Sequence, residues 1–267
     1  MTKAHPIGFI ASLGYEEMPG EAVAASLLAA GYDGVEWTMA HVDELSQPAL
    51  ALACQQDLVT GGEQAVRTTV EAIEKAADAG IELVNVLTGP NLWEPGAVAR
   101  ADEESWSRAL TGLETACRRG EELGVAVGFE PCWGTIASDA ASAQRVLDSV
   151  PVSITFDPSH FVMTGDDIPG FVHRWGDRIV HVHMKDAFGR PGMDGEDFIF
   201  CMLGEGGVPW PALFDALDEV GFAGAMSVEF EAYRYYEQIL GRDPARAAVL
   251  AREQVDALLA GRNGAGR

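Results

Sequence analysis

Short apolar runs and longer amphipathic stretches alternate eight times along this chain, and that rhythm constrains the fold more than any other feature. The apolar runs are PIGFIAS (6–12), DGVEWT (33–38), LALAC (50–54), ELVNVLT (82–88), VAVGFEP (125–131), VSITFDP (152–158), RIVHVHMKD (178–186) and AMSVEFEA (225–232). Helical patterning fills 20–30, a short stretch near 41–48, 62–79, 102–123, 137–149, 166–175, 209–220 and 243–260. Glycines in AAGYDG, DAGIEL, ELGVAV and EVGFAG sit just past the last helical turns, where a left-handed residue ends a helix. Strands alternating with helices read as parallel βα units. Eight such units in 267 residues predict an α/β chain folded as one (β/α)8 TIM barrel, a single domain over 1–267. A doubly wound open sheet is the competing architecture, but no GxGxxG follows the first strand.

Within the later runs a finer alternation appears. Val127 and Phe129 alternate with Ala126, Gly128 and Glu130, and Ile154 and Phe156 with Ser153, Thr155 and Asp157. Val182 and Met184 alternate with His181, His183 and Lys185, and Met226, Val228 and Phe230 with Ser227, Glu229 and Glu231. Successive strand side chains point to opposite faces. The large apolar face is expected to meet the helices. The other face is expected to line the barrel and to end in an ionisable group at the carboxyl-terminal mouth, where barrel active sites sit.

Four such groups stand at equivalent places: Glu130, Asp157, His183 and Glu229, spaced 27, 26 and 46 residues apart. Three carboxylates brought together must take up protons, stay wet or share a cation. Three oxygen donors and one imidazole suit a single divalent metal ion, Mn²⁺ first, with Mg²⁺, Co²⁺ or Zn²⁺ as alternatives. Any one of the four alone reads equally well as a solvated acid or a structural group, because 41 of 267 residues are Asp or Glu. All four on successive inward faces are harder to explain that way.

Neighbouring residues extend the candidate site. His160, three residues after Asp157 in FDPSH, is a further ligand, a group that holds a substrate oxygen, or a plain loop histidine. Lys185 either meets a substrate hydroxyl or oxyanion, or pairs with a nearby acid. His181 lies one layer deeper, Glu36 points inward from the second strand, and Glu231 lies beyond Glu229 at the rim. Arg190 could reach a substrate oxygen from the long connection 187–207, a candidate lid or binding loop rich in Gly and acids. Trp133 is the aromatic chosen to wall the substrate pocket, from a group that includes Trp37, Trp93 and Phe161. GGEQ (61–64) and TGPN (88–91) are further segments that could touch a ligand.

Composition narrows the partners. Eighteen Lys and Arg against 41 acids give a net charge of −23. Such a surface repels polyanions, so neither nucleic acid nor an anionic membrane is an expected partner. No apolar run reaches the ~18 residues of a membrane span. The start, MTKAHPIGFIASLGY, lacks the order of a signal peptide. Cys54, Cys117, Cys132 and Cys201 are far apart and form no CxxC, which fits a reducing compartment. A cytoplasmic location is the expectation.

VGFEP, FDPSH, VHMKD, LGEGGVPWPALFDALDEVGF and SVEFE resemble the signature segments of the xylose isomerase-like TIM-barrel superfamily, and AAGYDGVEW resembles its strand-two motif. That superfamily includes sugar phosphate isomerases and epimerases, ketose 3-epimerases, inosose dehydratase and endonuclease IV. The resemblance runs over about residues 6–232 and is dense from 125 onward. It implies that Glu130, Asp157, His183 and Glu229 bind one divalent metal. By likeness to the ketose epimerases it also implies that Glu130 and Glu229 move the proton, and that His160 and Arg190 hold the substrate. VEFE stands where those epimerases carry a Glu-Pro pair, so the resemblance leaves the exact reaction open. Endonuclease IV needs extra histidines for three zinc ions, whereas His5, His41 and His173 do not fall into that pattern.

The expected function is a divalent-metal-dependent sugar or polyol isomerase or epimerase. It would abstract a proton next to a carbonyl and pass through a metal-stabilised enediolate. Two alternatives stay open: a lyase or dehydratase acting on a keto-sugar or keto-cyclitol with the same ligands, and a non-catalytic sugar-binding barrel. The expected partner is a small sugar or polyol, and the resemblance suggests a homo-oligomer, dimer or tetramer. No phosphate cradle of clustered Gly and Lys is evident in the sequence.

Overall fold

A computed structural model describes residues 5–90, 101–189 and 199–264, with side chains through residue 261. Its strands in chain order are β1 (Ile7–Ile10), β2 (Gly34–Thr38), β3 (Ala49–Cys54), β4 (Leu83–Val86), β5 (Ala126–Phe129), β6 (Ser153–Phe156), β7 (Ile179–Met184), β8 (Asp186–Phe188), β9 (Ile199–Cys201) and β10 (Ala225–Val228). All but β8 and β9 form a closed parallel barrel in the order β1-β10-β7-β6-β5-β4-β3-β2. Closure sets Gly8 of β1 opposite Ser227 of β10 on one side and Gly34 of β2 on the other. The helices are α1 (Gly20–Ala29), α2 (Gly62–Asp78), α3 (Glu103–Leu123), α4 (Ala140–Ser149), α5 (Pro158–Thr164), α6 (Ile168–Trp175), α7 (Trp210–Glu219), α8 (Tyr233–Gln238) and α9 (Pro244–Gly264). The chain is a (β/α)8 barrel, the architecture that its alternating pattern predicts.

Local signals set several helix ends. The Asp102 carboxylate accepts the Ser105 N–H at the start of α3, and Gly124 ends that helix at φ 71°. At α4 the Asp139 carboxylate accepts the Ser142 N–H while the Ser142 hydroxyl accepts from the Asp139 N–H. A side-chain cap of this kind contributes about 1 kcal/mol.

The two strand faces sort as expected. Val127, Phe129, Ile154, Phe156, Met226 and Val228 join one core with Leu113, Val146, Phe171 and Leu213 of the surrounding helices. The inner face is small and polar. A Cβ on Gly128 would press on Thr155 Oγ1 and lie 3.0 Å from Asn85 Oδ1, so glycine leaves room for the polar side chains that cross the barrel.

Four local differences separate structure from expectation. The stretch 41–48 is not helical; only a single 3-10 turn, Met39–His41, ends at its first residue. A seven-residue helix, α5, follows β6 directly. The connection 187–207 contributes to a two-stranded antiparallel hairpin, β8 with β9. Finally α8 interrupts the link after β10. Among the described residues no helix is long and apolar enough to cross a membrane.

Candidate metal centre at the barrel mouth

Each of the four sequence-selected donors lies at the carboxyl-terminal end of its strand. Glu130, Asp157 and Glu229 directly follow β5, β6 and β10, and His183 is the penultimate residue of β7. One donor atom from each of the four falls within 4.8 Å of the other three. All four residues are buried. His183 Nδ1 lies 3.3 Å from Glu229 Oε2 and 3.6 Å from Glu130 Oε1.

Beneath this cluster, Glu36 organises a second layer. Its Oε1 accepts from Asn85 Nδ2, whose own Oδ1 accepts the Thr155 hydroxyl. Its Oε2 lies 2.8 Å from His181 Nε2, which sits 3.0 Å from Ser227 Oγ. Its Oε1 also lies 3.2 Å from His183 Nε2. His183 Nε2 faces Glu36 and Nδ1 faces Glu130 and Glu229; burial works against the ring's charge, but these carboxylates hold its pKa well above the ordinary imidazole value. Burial alone would raise the Glu36 carboxyl, but the charges of His183 and His181 and their hydrogen bonds hold it well below the usual carboxylate range.

Lys185 supplies the one ammonium in the cluster. Its Nζ stands 2.6 Å from Glu229 Oε2, 2.8 Å from Asp157 Oδ2 and 3.1 Å from Glu231 Oε2. It also lies 4.6 Å above the Phe200 ring. Burial works against its charge, and Asp157, Glu229, Glu231 and Glu130 together hold its pKa well above the ordinary lysine value. His160 Nε2 is 3.3 Å from Glu130 Oε1 and 3.4 Å from Asp157 Oδ2. Burial disfavours the Glu130 carboxylate, but His183 and His160 outweigh it and keep this acid ionised.

Two observations test whether a metal suits this arrangement. His183 Nδ1 and Asp157 Oδ2 are buried and make no directed hydrogen bond, the latter meeting Lys185 only as an ion pair. Of five neighbouring carboxylates, Asp157, Glu229 and Glu231 share one lysine, while Glu36 and Glu130 face only histidines, so the cluster has room for further positive charge. A divalent ion among three carboxylates and an imidazole meets both demands.

The remaining sequence candidates distribute unevenly. Trp133 packs with Met163, Ala187 and Phe200 in a small cluster of its own beside the lysine. Phe161 belongs instead to the main core, edge-on to Phe156 and Phe171. Trp37 is also core, its indole N–H donated to the Ser46 carbonyl at 3.0 Å. Both expectations of a pocket wall are therefore corrected: Trp37 neighbours the inward Glu36 in β2 and so faces the helices. Arg190 and Trp93 lie outside the described residues, as does part of the 187–207 connection.

Two buried groups carry no role in the sequence reading. Asn85 bridges Thr155 to Glu36, and its one signal is a lone amide inside the apolar run ELVNVLT. Asp186 is fully buried next to Lys185. Its Oδ1 accepts the N–H groups of Ala187 (3.0 Å) and Val208 (3.1 Å). Its Oδ2 accepts those of Gly204 (3.0 Å), Gly206 (3.2 Å) and the Trp210 indole (2.9 Å). This one carboxylate thus ties the LGEGGVPW segment to the base of β8. A Cβ on Gly206 would overlap Asp186 Oδ1 and lie 2.6 Å from the Ala187 carbonyl oxygen, which explains a glycine there.

A sequence model of the family described as xylose isomerase-like TIM barrel matches residues 53–258. The chain belongs to that family. An inosose dehydratase of Lacticaseibacillus casei is 28% identical over 176 residues, which cover 59% of this chain and 56% of that protein. The chain thus spans little more than half the length of that relative. Among solved structures, an IolI protein with a bound zinc atom superposes with a TM-score of 0.77 at 18% identity, covering 96% of this chain and 99% of its own. An L-ribulose 3-epimerase superposes with a TM-score of 0.75 at 17% identity, covering 97% of this family member and 96% of its own chain.

Proposed function

We propose that this family member is a divalent-metal-dependent enzyme that removes a proton from the carbon next to the carbonyl of a keto-sugar or keto-cyclitol, with loss of water as the outcome. The observation that carries this reading is the convergence of Glu130, Asp157, His183 and Glu229, with His183 Nδ1 and Asp157 Oδ2 lacking a directed hydrogen bond. These four residues would hold the ion, with Mn²⁺ the first choice. A bound divalent ion would polarise the carbonyl and acidify the neighbouring C–H.

The chain's own residues divide the remaining work. Glu130 touches His160 and His183 but no lysine, stays ionised, and is the group suited to accept the proton. Glu229 is bound to Lys185, so a proton or hydrogen bond can pass along that pair to a substrate oxygen. An ammonium placed there assists departure of a β-hydroxyl, which needs a proton as it leaves. The likeness to an inosose dehydratase also supports elimination. Epimerisation is the second reading. The two glutamates in one cluster favour it, because one can take a proton and the other return it on the opposite face.

The test is incubation of the Mn²⁺-loaded protein with inososes and free ketoses in deuterated water, followed by proton NMR. Loss of the proton next to the carbonyl with a dehydrated product is expected, and Glu229→Gln should abolish it. A protein that binds no metal, or exchanges no proton with any of these compounds, overturns the reading and leaves a binding barrel.

A further inference from the structure

A cavity of about 280 Å³ opens beside the donor cluster, on the side formed by the ends of β1, β2 and β3. Glu229 and Glu231 form one wall of it. Ser12, Thr38, Gln55 and Gln56 supply its polar surface opposite, and Met39 and Ala53 are among its apolar lining. No lysine or arginine lines it among the described residues. The Ser12 hydroxyl oxygen is shielded from solvent and makes no hydrogen bond. The side-chain amides of Gln55 and Gln56 make none within the described residues either, and the Thr38 hydroxyl reaches only the Ala11 carbonyl, at 3.4 Å.

We infer that this cavity is the specificity subsite of the proposed reaction, and that it admits an uncharged polyol and rejects its phosphate ester. The inference rests on the reading of the mouth as an active site. Its chemistry comes from the lining alone. Two amides and two hydroxyls each donate and accept, so they match vicinal hydroxyl groups, which also do both. A buried hydroxyl without a partner costs free energy until a ligand satisfies it. Among the described residues no arginine or lysine lines the cavity to receive a phosphate, which would meet the carboxylates of Glu229 and Glu231. Lys185, the one nearby ammonium among the described residues, is already shared among Asp157, Glu229 and Glu231. Discrimination of this kind comes from what is unpaired or repelled in the wrong complex as much as from contacts to the right one.

Binding without chemistry tests it. The Mn²⁺-loaded full chain is titrated calorimetrically with myo-inositol and with inositol monophosphate. The expected result is at least roughly ten-fold tighter binding of the uncharged polyol, the scale of a lost or repelled polar contact in a desolvated site. Ser12→Ala and Gln56→Ala should each weaken polyol binding several-fold while the Mn²⁺ stoichiometry stays unchanged, and Gln56→Lys should narrow the gap between the two ligands. Equal or tighter binding of the monophosphate, or polyol binding indifferent to all three substitutions, overturns the inference. The two readings fail separately. Proton exchange in deuterated water with a preference for phosphorylated compounds would leave the reaction standing and remove the subsite. Selective polyol binding with no exchange would do the reverse.

Discussion

Glu36 Oε1 and His183 Nε2 face each other across 3.2 Å, on the opposite edge of the imidazole from the nitrogen that looks into the donor cluster. A carboxylate behind a metal-binding histidine fixes its ring and tautomer, and losing such a partner typically costs ten- to a hundred-fold in metal affinity. Glu36→Gln is therefore expected to weaken Mn²⁺ binding by about that factor, read by calorimetric titration, with the barrel still folded by circular dichroism. Unchanged affinity would remove Glu36 from this role.

The two carboxylate oxygens of Asp157 face different neighbours. Its Oδ1 accepts the Ser159 N–H at 2.8 Å and caps α5, while Oδ2 turns to the cluster. Asn and Asp cap helices about equally well, and Ala does not. Asp157→Asn should keep the cap and lose metal binding. Asp157→Ala should lose both and be about 1 kcal/mol less stable than the Asn variant, measured by urea unfolding. Equal stability of the two variants would show that the cap contributes nothing.

The thiols should be inert in the folded protein. Burial pushes Cys54 and Cys201 up to about 12 and Cys117 to about 11, and it raises Cys132 as well. A raised pKa keeps the thiol protonated at neutral pH, and the thiolate is the nucleophile. At pH 8 iodoacetamide should label the native chain far more slowly than the urea-unfolded one, with labelling of the native form growing only as the pH climbs toward these values. Mass spectrometry of the labelled peptides reads the outcome, and rapid native labelling of Cys54 at pH 8 would contradict it.

Asp186 should be worth more to stability than to chemistry. Asp186→Ala strands four backbone N–H groups and an indole N–H that it now satisfies. Each unsatisfied buried donor costs on the order of 1–3 kcal/mol, softened where water can enter, so a loss of about 3 kcal/mol or more is expected. Gly206→Ala should destabilise by about 2 kcal/mol, because backbone and carboxylate must move to admit the methyl. Chemical denaturation measures both, and a near-neutral Gly206→Ala would show that the segment yields easily.

The barrel was legible because its strand pattern is local. Val127 and Phe129 against Gly128 and Glu130 state both the strand and its two faces within four residues, and the runs ending in Asp157, His183 and Glu229 do the same. The β8–β9 pairing was not legible, since each strand is only three residues long, too short to show an alternation. PSHFVMT gave no helix signal because seven residues show too little periodicity, although the Asp-Pro start is a sound helix beginning in retrospect. Asn85 and Asp186 escaped for another reason. Most of their partners lie on other strands or in a distant loop, so the lone amide in ELVNVLT and the last residue of VHMKD do not reveal what they hold. The uncharged polar part of the side cavity escaped likewise, being assembled from Ser12, Thr38, Gln55 and Gln56 at the ends of three different strands.

The junction between β6 and α5 has no connecting loop at all, since the carboxylate that ends the strand is also the residue that starts the helix. Inserting one residue there would turn the helix by about 100° relative to the strand and separate the two duties of Asp157. This side of the mouth is therefore closed to lengthening. The segments after β1, β2 and β3 carry no such tie to the donor atoms. Divergence of substrate choice within barrels of this kind is expected to accumulate there, while the β6 side stays constant in length.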